Sequence, residues 1–149
     1  MKGKPYGTLA LALAVHLLIM FALTYAGVYR LDHVYANLNR FYMALLMVAP
    51  MAIVMVAFMW HMFPRRALNV AILGLAVVLF AGTFAAIRAQ ALVGDMQFLR
   101  SMIPHHSIAI KTCERAQISD PEITKLCEQI VRAQREEIAQ MEDIIRRLD

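Results

Sequence analysis

At 149 residues, 60% of them hydrophobic, and with a positive mean hydropathy, the chain is too apolar for a soluble domain of its length. Its net charge of +4 does not point to nucleic acid, because from Arg88 onward nine Lys or Arg stand against ten Asp or Glu. The surplus positives flank apolar runs, where cations orient helices; with no basic stripe interleaved with aromatics, nucleic-acid binding is disfavoured.

Three apolar runs, at residues 8–28, 41–63 and 67–87, each supply about the ~20 residues that cross a bilayer as helix. Lys2 and Lys4 precede the first, and Arg65 and Arg66 fill the tight turn between the second and third. The positive-inside rule puts both clusters in the cytoplasm, and the loop at 29–40 and everything after Ile87 on the other side. The expectation is a multi-pass protein of a bacterial inner membrane, N-terminus cytoplasmic and tail periplasmic, with a transmembrane region at 1–88 and an extracytoplasmic domain at 89–149. A cleavable signal peptide competes, since Lys2 and Lys4 resemble an n-region and Thr24-Tyr25-Ala26 a weak cleavage site. The apolar run is long for that role, and an anchor is expected.

Within the first run, His16 is expected as a neutral histidine bonded to a neighbouring helix. His33, in the outer loop, is expected to be solvated. The second run carries Met43, Met47, Met51, Met55 and Met59 at every fourth position, followed by His61 and Met62. Steps of four drift by about 40° around a helix, so this ladder winds instead of holding one face. Apolar filling is its expected role, ahead of a run of soft ligands. Pro50 removes one backbone bond mid-span. Gly74, Gly82 and Ala86 in the third run suit close helix packing, within the chain or between chains.

The tail changes to amphipathic helix at 91–117 and 121–148. Between these segments, Ile118-Ser119-Asp120-Pro121-Glu122 offers an N-cap at Ser119 or Asp120, a proline for the first turn and an acid for the positive end of the dipole. So short a connection folds the two helices back as an antiparallel hairpin. About 60 residues make a small core, so the hairpin is expected to dock, on a second copy that completes a four-helix bundle or on a membrane partner. A seam of Cys127, Ile130, Gln134, Glu137, Met141, Ile144 and Leu148 runs along the second helix, and its two polar members need partners if buried.

Pairing Cys113 with Cys127 sets a register in which His106 lies level with Gln134, and Met102 and Ile103 level with Ile138 and Glu137. Met102 shares a surface with His105 and His106, while Met96 and Met141 lie further along. Imidazole, thioether and carboxylate groups thus gather on one stretch of the hairpin, and thioethers favour Cu(I). Adjacent histidines lie about 100° apart on a helix, so one can ligate here while the other reaches a neighbouring copy. The same residues read equally well as a polar helical interface, His105 or His106 bonded to Gln134 or Glu137 with no metal.

The string Asp95-Met96-Gln97-Phe98-Leu99-Arg100-Ser101-Met102-Ile103-Pro104-His105-His106, then Ala109-Ile110, an acidic-Pro turn, Gln134, Glu137-Ile138 and Met141, resembles the signature of the domain of unknown function 305 family over about 94–148. The resemblance implies a ferritin-like helical fold, export or membrane anchoring, and a link to copper binding and tolerance. A methionine that the family often carries near Thr112 and Cys113 is missing here. The expectation is therefore an all-α protein, three transmembrane helices followed by an antiparallel ferritin-like hairpin. It would be a membrane-tethered copper-capture or buffering module and not an enzyme, with lipid and a metal ion as partners. His105 and His106 would be the principal ligands, Met102 and Met96 secondary ones, and Gln134, Glu137 and Met141 the opposite wall. Cys113 and Cys127 suit a disulfide in an oxidising compartment, in preference to metal ligation or a reactive thiol. Three rivals stand beside it: a metal-free interaction module, a di-iron oxidase, which lacks the Glu-x-x-His pairs that chemistry uses, and a transporter built on the methionine ladder.

Overall fold

The computed structural model describes residues 5–148. Those residues form five α-helices: α1 (Pro5–Leu23), α2 (Leu38–Phe58), α3 (Arg66–Ala89), α4 (Asp95–Arg115) and α5 (Pro121–Leu148). Short 3-10 turns lie at Leu31–His33 and Trp60–Met62. The chain divides into two compact units. One takes in the chain up to Thr24 with Asn39–Ala91, and the other Tyr25–Leu38 with the chain from Leu92 on.

The first unit contains α1, α2 and α3, all long and apolar enough to cross a membrane. Their shared core is small, Leu9, Val56 and Phe63 with Tyr6, Met55 and Ile72 around it. Leu11, Leu18, Phe58, Val70 and Val78 face outward. In water such exposure would forgo about 25 cal/mol per Å² of apolar surface, a loss that lipid removes. α1 stops at Leu23 although its apolar run continues, because the chain turns at Thr24, whose hydroxyl donates to the Phe21 carbonyl at 2.6 Å. α2 runs through Pro50 and ends at Phe58. Asn69, fully buried on α3, accepts a hydrogen bond from Tyr6 Oη at 2.8 Å and donates to the Phe63 carbonyl at 3.1 Å, which satisfies its amide inside the unit.

A Cβ added at Gly74 or Gly82 would meet nothing within 4 Å, so of the two kinds of packing expected there, these glycines make none within the chain. One reading of the spans needs correction. His16 is half-buried and takes part in no hydrogen bond found among the described residues.

In the second unit α4 packs along α5. Leu99, Ile103 and Ile110 of α4 meet Ile138, Met141 and Ile145 of α5 in one core cluster. α5 starts where the capping signal puts it, with Asp120 Oδ1 accepting the Glu122 and Ile123 amides at 2.8 and 3.0 Å. α4 starts at Asp95, later than the amphipathic pattern suggests. Gln90 closes α3 at φ 48° and Leu92 turns again at φ 60°, left-handed conformations that interrupt a helix.

The loop Tyr25–Leu38 belongs with the tail and lies along α4. Gly27 meets Ile108 so closely that an added Cβ would stand 3.3 Å from it. The Tyr29 amide donates to Ser107 Oγ at 2.8 Å, and His33 Nδ1 lies 2.9 Å from the same oxygen. Pro104 has no N–H for the Arg100 carbonyl one turn earlier, and Asn37 Nδ2 donates to that carbonyl instead at 3.1 Å. Gln97 Oε1 accepts the Leu38 amide at 2.9 Å. His33 is thus 8% exposed, contrary to the expected solvated residue, because the loop is pressed on α4 by contacts far apart in sequence.

Candidate functional site

α4 places His105 and His106 on successive positions, so the two rings diverge. His105 is exposed, while the His106 side chain is 14% exposed. Their ring centroids lie 5.9 Å apart, edge to face. Metal–nitrogen bonds of about 2.0–2.1 Å let two imidazoles share an ion with centroids up to roughly 6 Å apart. Across the helix pair, His106 Nε2 is 3.4 Å from Glu137 Oε2. That carboxylate oxygen also accepts a hydrogen bond from Gln134 Nε2 at 3.1 Å. His106 therefore faces Glu137, less than one turn from the Gln134 position that the cysteine register suggests. The Cys113–Cys127 pair that sets the register is a disulfide, with Cα atoms 5.3 Å apart.

The α5 seam differs from expectation by one position. Buried on it are Ile138, Met141 and Ile145, with Val131 packed against them, whereas the Glu137 side chain is 50% exposed. The helix rotates so that aliphatic residues fill the interface and the carboxylate stays at its rim, where charge keeps its hydration. Met141 joins the core cluster, and Met96 and Met102 pack against it. His105, His106, Gln134 and Glu137 thus form a polar rim, and the three methionines form part of the apolar interior beside it.

Burial pushes the His106 imidazole below its ordinary value; Glu137 pulls it up and His105 pushes it further down. A neutral imidazole has a free ring nitrogen to offer a metal. His106 Nδ1 is buried and has no hydrogen-bond partner among the described residues, so Nε2 and Nδ1 share one proton between a carboxylate and an apolar wall. Among the described residues, no group of three or more His, Cys, Asp or Glu side chains converges to hold an ion. The rim offers two imidazoles and one carboxylate oxygen, to which thioethers or a second copy would have to add.

Sequence reasoning missed a second polar feature of this unit. Tyr29, Arg30, His33, Arg135 and Glu142 line a cavity of about 460 Å³ floored by Ile110 and Ile138. Its arginines are engaged, Arg30 with Asp32 at 2.7 Å and Arg135 with Glu114 at 2.6 Å. Nothing local marks this cavity, since its two walls are distant in sequence. A larger one, about 670 Å³, surrounds the disulfide and Val131, away from the histidines.

The family model "Domain of unknown function (DUF305)" matches residues 82–145. An "Uncharacterized protein L153" of Acanthamoeba polyphaga mimivirus is 36% identical over 113 residues, which cover 73% of this chain and 71% of that protein. No solved structure matches the chain.

Proposed function

The chain belongs to the DUF305 family, and we propose that it is a membrane-anchored protein whose α4–α5 hairpin captures a soft metal ion, copper first, outside the cytoplasm. The observation that carries this reading is His106, desolvated and held neutral beside His105, with Nε2 directed at Glu137. In this reading His106 and His105 are the principal ligands and Glu137, positioned by Gln134, completes or neutralises the site. Met102, Met96 and Met141 supply soft sulfur from the adjoining interior. The incomplete donor set within one copy favours a shared site in an oligomer, for which a ferritin-like four-helix arrangement of two hairpins is the simplest form. Sidedness rests on the cationic flanks of the spans. It is supported by the loop Tyr25–Leu38 and the tail forming one unit, which requires both to share one side of a bilayer. The disulfide is in keeping with an oxidising compartment.

The test is titration of the purified full chain with Cu(I), Cu(II) and Zn(II), beside a His105→Ala, His106→Ala double variant of equal helicity. Copper binding lost in the variant supports the site, and equal or absent binding in both proteins overturns it. A second reading, a metal-free interaction module, is favoured by one observation: Ile123 and Leu126 of α5 are exposed, leaving the first turns of that helix an uncovered apolar face. It predicts self-association without histidine-dependent metal affinity.

A further inference from the structure

The methionine ladder of α2 does not behave as one feature. Met43, Met47 and Met51 face outward, as lipid-facing filler would. Met55 and Met59 turn inward with the winding of the helix and pack against the core of the first unit. The Met59 amide still makes the α-helical bond to the Met55 carbonyl at 3.0 Å, and the Met62 amide donates to the Met59 carbonyl, three residues back, at 2.8 Å. The chain then enters the 3-10 turn Trp60–Met62, where Met62 is half exposed. Met55, Met59 and Met62 all line one cavity of about 290 Å³, together with Thr8, Leu9 and Phe63.

Three thioethers around one small, otherwise apolar cavity are a donor set of a particular kind. They carry no charge, so they bind hard or divalent ions poorly, and thioether sulfur selects Cu(I) among the biological metals. Simple filling requires only volume, which Leu or Ile supplies equally; it gives no reason for three of the side chains on this lining to be methionine. From this shared lining we infer that Met55, Met59 and Met62 form a trithioether site for a soft monovalent cation, Cu(I). The site lies in the first unit, is built from none of the hairpin residues, and stands or falls independently of them.

The test uses the full chain in lipid nanodiscs, disulfide intact, in a His105→Ala, His106→Ala background that removes the hairpin histidines. Cu(I) is supplied anaerobically by a chromophoric chelator, and binding is read by competition and by X-ray absorption at the copper edge. Because both cysteines are tied in the disulfide, any sulfur neighbour of copper must be a thioether. The expected result is one Cu(I) equivalent with sulfur neighbours. It is lost in Met55→Leu/Met59→Leu/Met62→Leu, weakened at least tenfold in Met59→Leu alone, and kept in Met43→Leu/Met47→Leu/Met51→Leu. No Cu(I) binding in the His105→Ala, His106→Ala background overturns the proposal, as does binding unchanged by Met59→Leu or lost equally in the outward-facing triple variant. Should the inward triple variant fail to fold, the single substitution, a near-isosteric change, decides the matter.

Discussion

Replacing Ser107 by Ala should release the loop Tyr25–Leu38 from α4. Ser107 is fully buried, and its oxygen serves two loop groups, the Tyr29 amide at 2.8 Å and His33 Nδ1 at 2.9 Å. Oγ accepts the Tyr29 proton, and the histidine tautomer sets whether it donates to His33 Nδ1 or accepts from it. Alanine fits the space but leaves both loop groups without a partner, at about 1–3 kcal/mol for a buried group and the lower end of that range for a partly wetted one. The loop-closed state should therefore lose about 2–4 kcal/mol, and at 1.4 kcal/mol per tenfold its open population should rise by roughly 30- to 700-fold. Amide hydrogen exchange at Tyr29 reads this directly, with the Ile138 amide of α5 as an internal control that should hold its protection. Tyr29 protection changed by less than about threefold would refute the reasoning, because it would mean that the buried bonds to Ser107 do not hold the loop.

Three further outcomes follow from the tail. His106 titrates below an ordinary histidine because of burial, partly offset by Glu137; Glu137→Gln should therefore lower it further, and an upward move by NMR titration would contradict the geometry. Because the unfolded chain takes up that proton first, the tail should lose stability as pH falls from the ordinary histidine value through the folded one, with no further loss from this group below both. Cys113→Ser/Cys127→Ser opens a link between residues 14 apart in sequence, for which chain entropy gives about 3 kcal/mol. A lowered melting temperature of the tail, matched in the parent chain by adding reductant, is the expected result, and identical melting curves would speak against the bond.

What could be read from the residues divides along local and distant causes. Asp120-Pro121-Glu122 announces the start of α5 because a cap is a contact between near neighbours. The three spans are equally local, since length and apolarity are all they need. The start of α4 was blurred because Gln90 and Leu92, rather than glycines, take the left-handed turns after α3. Glu137 was assigned to the inner seam because a repeat of alternating threes and fours fits two adjacent stripes, and only packing against Ile103 and Ile110 selects the one through Ile138 and Ile145. His33 reads as a solvated loop residue because its burial depends on Ser107, a residue with no sequence-local reason to meet it. For the candidate site, the pairing of His106 with the Gln134–Glu137 stretch of α5 is legible from register. Which of these groups is desolvated was not.

The bond between Asn37 and the Arg100 carbonyl has a consequence for how relatives of this chain should vary. Pro104 creates a vacancy in the α4 backbone ladder and Asn37, from another part of the chain, occupies it. With a residue bearing an amide proton at 104, the helix would close on itself, and the carbonyl, which can accept twice, would no longer depend on the asparagine. The two positions are therefore coupled as a pair: sequences that change one should change the other, and a comparison of relatives that scores each column separately would overlook the tie.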